Sequence, residues 1–247
     1  MIAMLTGKVA VIIGGTRGIG AAIARRLAAD GTSLALIHLN RSDEARQLAS
    51  EVRADGADVL VRQADIADVP ALAAALDEVV AHFGRIDILV CVAGLAITGS
   101  LDSYASDAFD RVFAVNVRAP FIAAQKAAAH MMAGGRIIMI GSIVADRAPG
   151  AGVTLYAASK AALGGLTRGL ARDLGARDIT ANLIQPGPID TERNPADGPD
   201  AEANRSPLAI RRHGTADEVA GLVSFLASPA AGFITGATYN IDGGWSA

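Results

Sequence analysis

Short aliphatic runs alternate with amphipathic stretches along nearly the whole 247-residue chain, and this alternation constrains the fold more than any other feature. Lys8–Ile13, Ser33–His38, Asp58–Arg62, Ile86–Cys91, Arg136–Ile140 and Thr180–Gln185 are brief, apolar and bounded by Gly, Asp or Pro. Such runs read as strands buried on both faces, as in a parallel sheet. Helical spacing fills the intervals at Ala21–Asp30, Asp43–Ala54, Pro70–Phe83, Ser106–Met132 and Leu155–Gly175. A helix over Ala216–Ala227 and a last strand near Thr238–Ile241 complete the series. Strands and helices in succession imply right-handed βαβ crossovers, hence an α/β fold with a doubly wound parallel sheet of about seven strands and helices on both faces. No repeat or shift of composition interrupts the pattern, which predicts one domain over residues 1–247.

Hydrophobic residues make up 51% of the chain and charged ones 19%, enough to bury a sizeable core, and aromatics at only 4% make that core aliphatic. The net charge of −3 offers no electrostatic footing for nucleic acid or an anionic membrane surface. Cys91 has no second cysteine to pair with, and the four histidines show no metal spacing, so neither a disulfide nor a metal site is expected. The charge-free stretch Val219–Ile241 is long enough on paper to span a bilayer. Its Ser228-Pro229, glycines and Thr238-Tyr239-Asn240 make it a helix, a turn and a strand instead. With no basic leader before Thr6-Gly7-Lys8, the cytoplasm is the expected location. From Pro186 to His213 the chain is rich in Pro, Gly and Asp and too long for an ordinary connection. A lid over a ligand site is expected at about 188–213.

The first strand runs into Gly14-Gly15-Thr16-Arg17-Gly18-Ile19-Gly20, which opens a helix. Glycines there permit a tight turn and close approach of backbone to a pyrophosphate, and the helix N-terminus favours the phosphate charge. A dinucleotide is therefore expected against Gly14, Thr16, Arg17, Gly18, Ile19 and Gly20. An acid at the end of the second strand would bind the ribose hydroxyls of NAD. The sequence there is His38-Leu39-Asn40-Arg41-Ser42, and the next acids, Asp43 and Glu44, suit the first turn of a helix capped by Ser42. Arg41 and Arg17 suit a 2′-phosphate beside Asn40, so NADP(H) is expected over NAD(H). Asp65-Ile66 follows the third strand; the carboxylate either meets the adenine amino group or caps a helix.

Tyr156 and Lys160 stand four apart on one helix and share a face. An ammonium beside a phenol lowers the phenol pKa from its usual ~10, which allows a proton to pass to or from a carbonyl oxygen. With 3 tyrosines and three lysines, chance would give such a pair roughly 0.04 times. Ser142 follows the fifth strand, at the sheet edge where ligands of α/β folds sit, and can polarise the same carbonyl. Asn116 lies mid-helix, a poor position unless its side chain has a task.

Gly14-x-x-x-Gly18-x-Gly20, Asn116, Ser142, Tyr156-x-x-x-Lys160, Pro186–Thr191 and Ile241-Asp242-Gly243-Gly244 together resemble the short-chain dehydrogenase/reductases over essentially the whole chain. The resemblance implies a Rossmann-fold enzyme with Tyr156 as general acid/base. It implies that Lys160 tunes the tyrosine and holds the nicotinamide ribose, that Ser142 orients the carbonyl and that Asn116 holds a proton-relay water. It also places Ala93, Gly94, Pro186, Gly187, Ile189 and Thr191 on the cofactor, the last two near the carboxamide, and implies a homotetramer. Small residues at Ala157, Ala161, Gly164 and Gly165 leave the catalytic helix a face for close packing. Three departures stand out: Ile13 replaces a threonine, Cys91-Val92 replaces an Asn pair, and the Ser142-to-Tyr156 interval is about one residue long. Among relatives the chain looks like the 3-oxoacyl-acyl-carrier-protein reductases, with Arg177 in place of one carrier-docking arginine. Met131–Gly135 lacks another, so a small free ketone or aldehyde is expected, against an apolar wall of Leu95, Ile143, Val144, Val153 and Pro188. Gln185–Thr191 and Ala209–Gly214 are also similar to a branch described as binding cyclic di-GMP, in which Arg211 and Arg212 would meet phosphates. That gives a second reading, a nucleotide-binding regulatory protein.

Overall fold

The computed structural model describes residues 5–40 and 42–247, so Arg41 lies outside the described residues. In chain order the elements begin with β1 (Val9–Ile13), α1 (Gly18–Ala29), β2 (Ser33–His38), α2 (Ser42–Ala54), β3 (Val59–Gln63), α3 (Val69–Phe83) and β4 (Ile88–Cys91). There follow α4 (Ala108–Phe113), α5 (Ala119–Ala129), β5 (Arg136–Ile140), α6 (Thr154–Leu174) and β6 (Thr180–Pro186). The chain ends with β7 (Ile189–Asp190), α7 (Ala201–Arg205), β8 (Gly214–Thr215), α8 (Ala216–Ala227) and β9 (Thr238–Ile241). Seven strands form one sheet in the order β3-β2-β1-β4-β5-β6-β9, and every neighbouring pair is parallel. The strand order reverses between β1 and β4, which opens a crevice at their carboxyl ends.

Successive residues of β1 face opposite layers. Val11 and Ile13 enter a core shared with α3, α5 and α6, while Ala10 and Ile12 enter one shared with α1, α2 and α8. A third, small apolar cluster of Ile143, Leu208 and Trp245 lies apart from both. The charge-free stretch ending at Ile241 is α8, a turn and β9, and no helix among the described residues is long and apolar enough to cross a membrane.

Two expectations change. The helix predicted over Ser106–Met132 is α4 and α5 joined by a wide π turn at Ala114–Arg118, where the amide of Ala119 reaches back to the carbonyl of Ala114. Pro120 has no N–H to return to residue 116, so the regular ladder must lapse there. The hydroxyl of Ser42, expected as a cap, donates instead to Gln63 Oε1 at 3.4 Å. The long polar stretch after β6 is not structureless: α7 lies within it, and β7 and β8 pair in parallel to tie its two ends together. The capping box of Thr215 and Glu218 then starts α8.

Candidate active site

β1 ends against a loop so tight that side chains do not fit at Gly14 and Gly20. A Cβ on Gly20 would lie 2.0 Å from the carbonyl oxygen of Gly14, and one on Gly14, whose φ is +86°, would lie 2.7 Å from the amide nitrogen of Ala93. The backbone of Val92 and Ala93 donates to Ile13 O at 2.9 Å each, bracing β4 against β1 where the family's Asn pair is missing. The start of α1 has no side-chain cap and no acid in its first turn, which leaves its N–H groups and dipole available to an anion. Beyond β2, His38 Nδ1 lies 3.0 Å from the carbonyl of Asn40, and the side chain of Arg17, an exposed residue, makes no hydrogen bond or ion pair among the described residues. Asp65 Oδ1 accepts from the amide of Ala67 at 2.9 Å, while Asp68 caps α3; the side chain of Ile66 is buried in the core. These features fit a phosphorylated dinucleotide laid across the switch point.

At the other end of the crevice α6 carries Tyr156 and Lys160 on one face. Lys160 is buried and donates to the carbonyl of Ile140 at 2.9 Å, anchoring α6 to the end of β5. Its Nζ lies 5.9 Å from the centre of the Tyr156 ring. Burial, with Arg193 assisting, pulls the Lys160 pKa down to about 8. The phenol moves the other way from expectation. Burial raises the Tyr156 pKa and outweighs the hydrogen bond with Ser142 and the nearby charge of Arg193, both of which lower it. Four-residue spacing reports adjacency to a lysine but not how dry the site is. Ser142 also accepts from the amide of Val144 at 3.3 Å, and its longer separation from Tyr156 does not keep the two apart.

Asn116 is fully buried in the π turn. Its Oδ1 accepts from Leu95 N at 2.7 Å, and its Nδ2 donates to Leu95 O at 2.8 Å and to Ser159 Oγ at 2.9 Å. Ser159 in turn donates to the carbonyl of Tyr156 at 2.8 Å. Both amide hydrogens are thus used and Oδ1 keeps one free lone pair, and the side chain braces the turn after β4 against α6. Lys160 Nζ and Asn116 Oδ1 flank Gly94, where a Cβ would lie 3.3 Å and 3.7 Å from them.

A cleft of about 240 Å³ runs along this edge, lined by Ile19, Gly94, Ser142, Tyr156, Lys160, Pro186, Gly187, Ile189 and Thr191 among others. Beside it opens a chamber of about 580 Å³ that shares Ser142, Tyr156, Pro186, Gly187 and Asn194 with the cleft. Ile143, Val144 and Pro188 line the chamber as expected; Leu95 and Val153 do not, and the backbone of Leu95 is held by Asn116. Sequence reasoning missed Arg193, whose Nη1 reaches Gly94 O at 3.4 Å, the brace Ser159 inside the Tyr–Lys interval, and the pair Arg147 and Trp245 at the chamber. Cys91 is buried, its thiol pushed up to about 12 by desolvation. Among the described residues no cluster of three or more His, Cys, Asp or Glu could hold a metal. Arg177 donates to the carbonyls of Ala128 and Met131 at 2.7 and 2.9 Å, closing the end of α5. Arg212 is bound to Glu218 through two hydrogen bonds of 2.9 and 2.6 Å.

A doubly wound sheet with a glycine turn at its switch point, and a Ser–Tyr–Lys set at the next strand end, defines a nucleotide-dependent oxidoreductase scaffold. Residues 13–246 match the family described as enoyl-(acyl carrier protein) reductase. The cyclic-di-GMP-binding biofilm dispersal mediator protein of Escherichia coli K12 is 47% identical over 98% of both chains. A short-chain dehydrogenase/reductase from Serratia marcescens has 52% identity and a TM-score of 0.97, covering 99% of this chain and 100% of its own. A short-chain dehydrogenase from Burkholderia cenocepacia in complex with NADP has 50% identity, a TM-score of 0.97 and the same coverage. The chain belongs to the short-chain dehydrogenase/reductase family of oxidoreductases.

Proposed function

We propose that the protein is an NADPH-dependent reductase of a small free ketone or aldehyde. The observation that carries this reading is the convergence of Ser142, Tyr156 and Lys160 on one cleft, where burial raises the pKa of the phenol. When bound, NADPH supplies the hydride that the carbonyl carbon receives. Ser142 donates a hydrogen bond that orients the carbonyl oxygen, and Tyr156 delivers its proton to that oxygen, a general-acid contribution of roughly 10²–10⁴-fold. Lys160 holds the nicotinamide ribose and the phenol's later negative charge; a relay water at Asn116 would donate to Oδ1, which keeps one free lone pair while both Nδ2 hydrogens are used. The glycine turn with Thr16 and Ile19 receives the pyrophosphate, Asn40, Arg17 and Arg41 the 2′-phosphate end, Asp65-Ile66 the adenine, Ala93 and Gly94 the ribose side, and Pro186–Thr191 the carboxamide. The complex of the Burkholderia relative with NADP supports the choice of cofactor. Residues 188–213 serve as the lid, with the β7–β8 pair as its base. The committed position of Arg177 supports a free substrate over a carrier-bound one. Open space beside Gly165 and Gly169 suits a homotetramer assembled through α6, in the cytoplasm.

The test is NADPH consumption against a panel of ketones, aldehydes and β-keto esters, with NADH in parallel and Tyr156→Phe as control. Turnover with NADPH that collapses in the variant supports the reading, and its absence across the panel overturns it. A second reading, a cyclic di-GMP-binding regulator, is favoured by the Escherichia coli relative, and calorimetric titration of the dinucleotide tests it. Against it, Arg212 is already paired with Glu218.

A further inference from the structure

We infer that the chamber beside the catalytic cleft selects carbonyl substrates that carry a carboxylate, received by the guanidinium of Arg147; this rests on the reductase reading of the same site. The chamber includes Ser142 and Tyr156 in its wall, so a molecule lying in it presents a carbonyl to the phenol. Much of the remaining wall is apolar, supplied by Ile143, Val144, Pro188 and Trp245. One charge stands against it. The guanidinium carbon of Arg147 lies 5.1 Å from the centre of the Trp245 ring, over its face. Stacking on an indole orients the guanidinium plane and leaves its N–H edge open to a carboxylate side-on.

Nothing among the described residues uses that edge. Among the described residues the side chain of Arg147 makes no hydrogen bond and no ion pair, whereas those of Arg25, Arg26, Arg205 and Arg212 each meet a carboxylate. Among the described residues no Asp or Glu lines the chamber or the cleft. The phosphates of a dinucleotide give the cations along the cleft a counter-charge, but Arg147 lines the chamber alone and is left without one. A guanidinium fixed over an aromatic face, in a cavity without acids, leaves the balancing charge to the substrate. The carboxylate takes no part in the chemistry; hydride and proton go to the carbonyl carbon and oxygen as above, and an oxo acid becomes a hydroxy acid.

Trp245 is the chain's single tryptophan, so its fluorescence reports from the chamber itself. The experiment titrates the NADP⁺-loaded protein with 2-, 3- and 4-oxo acids and with their methyl esters, in wild type, Arg147→Met and Arg147→Lys, and measures kcat/KM with NADPH in parallel. The expected result is that at least one acid binds roughly 10–100-fold more tightly than its ester. Arg147→Met abolishes that preference while the Kd for NADP⁺ stays at its wild-type value, and Arg147→Lys keeps part of it. Arg147 is exposed, so truncation does not threaten the fold. Acids that bind no better than esters in wild type, or a preference that survives Arg147→Met, overturn the inference. Acid-selective binding without turnover of any carbonyl leaves the inference standing and sinks the reductase reading; turnover of neutral ketones with no acid preference does the reverse.

Discussion

The nucleotide end of the crevice and the substrate end are built by different means. The first is centred on one continuous stretch, β1, its glycine turn and α1, packed so closely that a methyl group on Gly20 would meet the carbonyl of Gly14. The second is assembled from three remote segments: the turn after β5 carrying Ile143 and Arg147, the stretch after β6 carrying Leu208, and the C-terminal Trp245. A ligand common to a whole family can be met by backbone that leaves no room for variation. A ligand peculiar to one member needs side chains on loops that can change without disturbing the sheet. Tyr156 lies where the two cavities meet and belongs to both.

That difference can be broken at its seam. Tyr156→Phe is expected to lower kcat by roughly 10²–10⁴-fold while the Kd for NADPH and the binding of substrate both stay near wild type, because a phenyl ring fills the same space without the proton. Stopped-flow kinetics alongside fluorescence titration would separate the two. A variant that loses cofactor binding would show that the tyrosine holds the nucleotide end together.

The next effect is on stability. Gly20→Ala should cost about 3 kcal/mol or more, since the added methyl meets backbone that cannot give way. Gly150→Ala, on the rim near the chamber with open space around it, should change stability by no more than about 1 kcal/mol. Urea denaturation of both measures the contrast, and equal losses would erase it.

Lys160 probes how dry the seam is. Its folded pKa of about 8 lies below the ordinary 10.5, so between these values the unfolded chain binds more protons. Stability of the cofactor-free wild type relative to Lys160→Met should therefore rise as pH increases through this window, by about 3 kcal/mol, and the gain should be absent below pH 8. A flat difference would mean that water reaches the ammonium. The smallest effect is expected at the open end of the crevice, where Arg17→Ser should reduce the preference for NADPH over NADH by about tenfold, read as the ratio of Kd values.

The same contrast explains what could be read from the sequence. The strands, the glycine turn and the Tyr156–Lys160 pair are local patterns, with partners fixed by spacing alone, and their positions were legible to within a few residues. The role of Asn116 was not, because its partners Leu95 and Ser159 are set by how the sheet brings β4 and α6 together. Nor was the stacking of Arg147 on Trp245, which joins residues nearly a hundred positions apart. The raised pKa of Tyr156 escaped for a different reason: spacing shows which charge is near, whereas burial is a property of everything around it. Arg193 carried no local signal at all, being one cation in a polar stretch.

The π turn at Ala114–Arg118 sets a phase. A regular helix advances roughly 100° per residue, so the extra residue in this turn rotates everything after it against everything before it. Val112 before the turn and Ala123, Ala124 and Ala127 after it are all buried, while Asn116 points inward between them. Removing one residue from the turn would restore a uniform ladder and misalign the two halves by that angle. Either the α5 alanines would leave the core or Asn116 would leave Leu95. The irregularity is thus the coupling by which α4 and α5 meet two demands, the packing of the sheet at the far end and the alignment of the edge that carries Tyr156 and Lys160 at the near one.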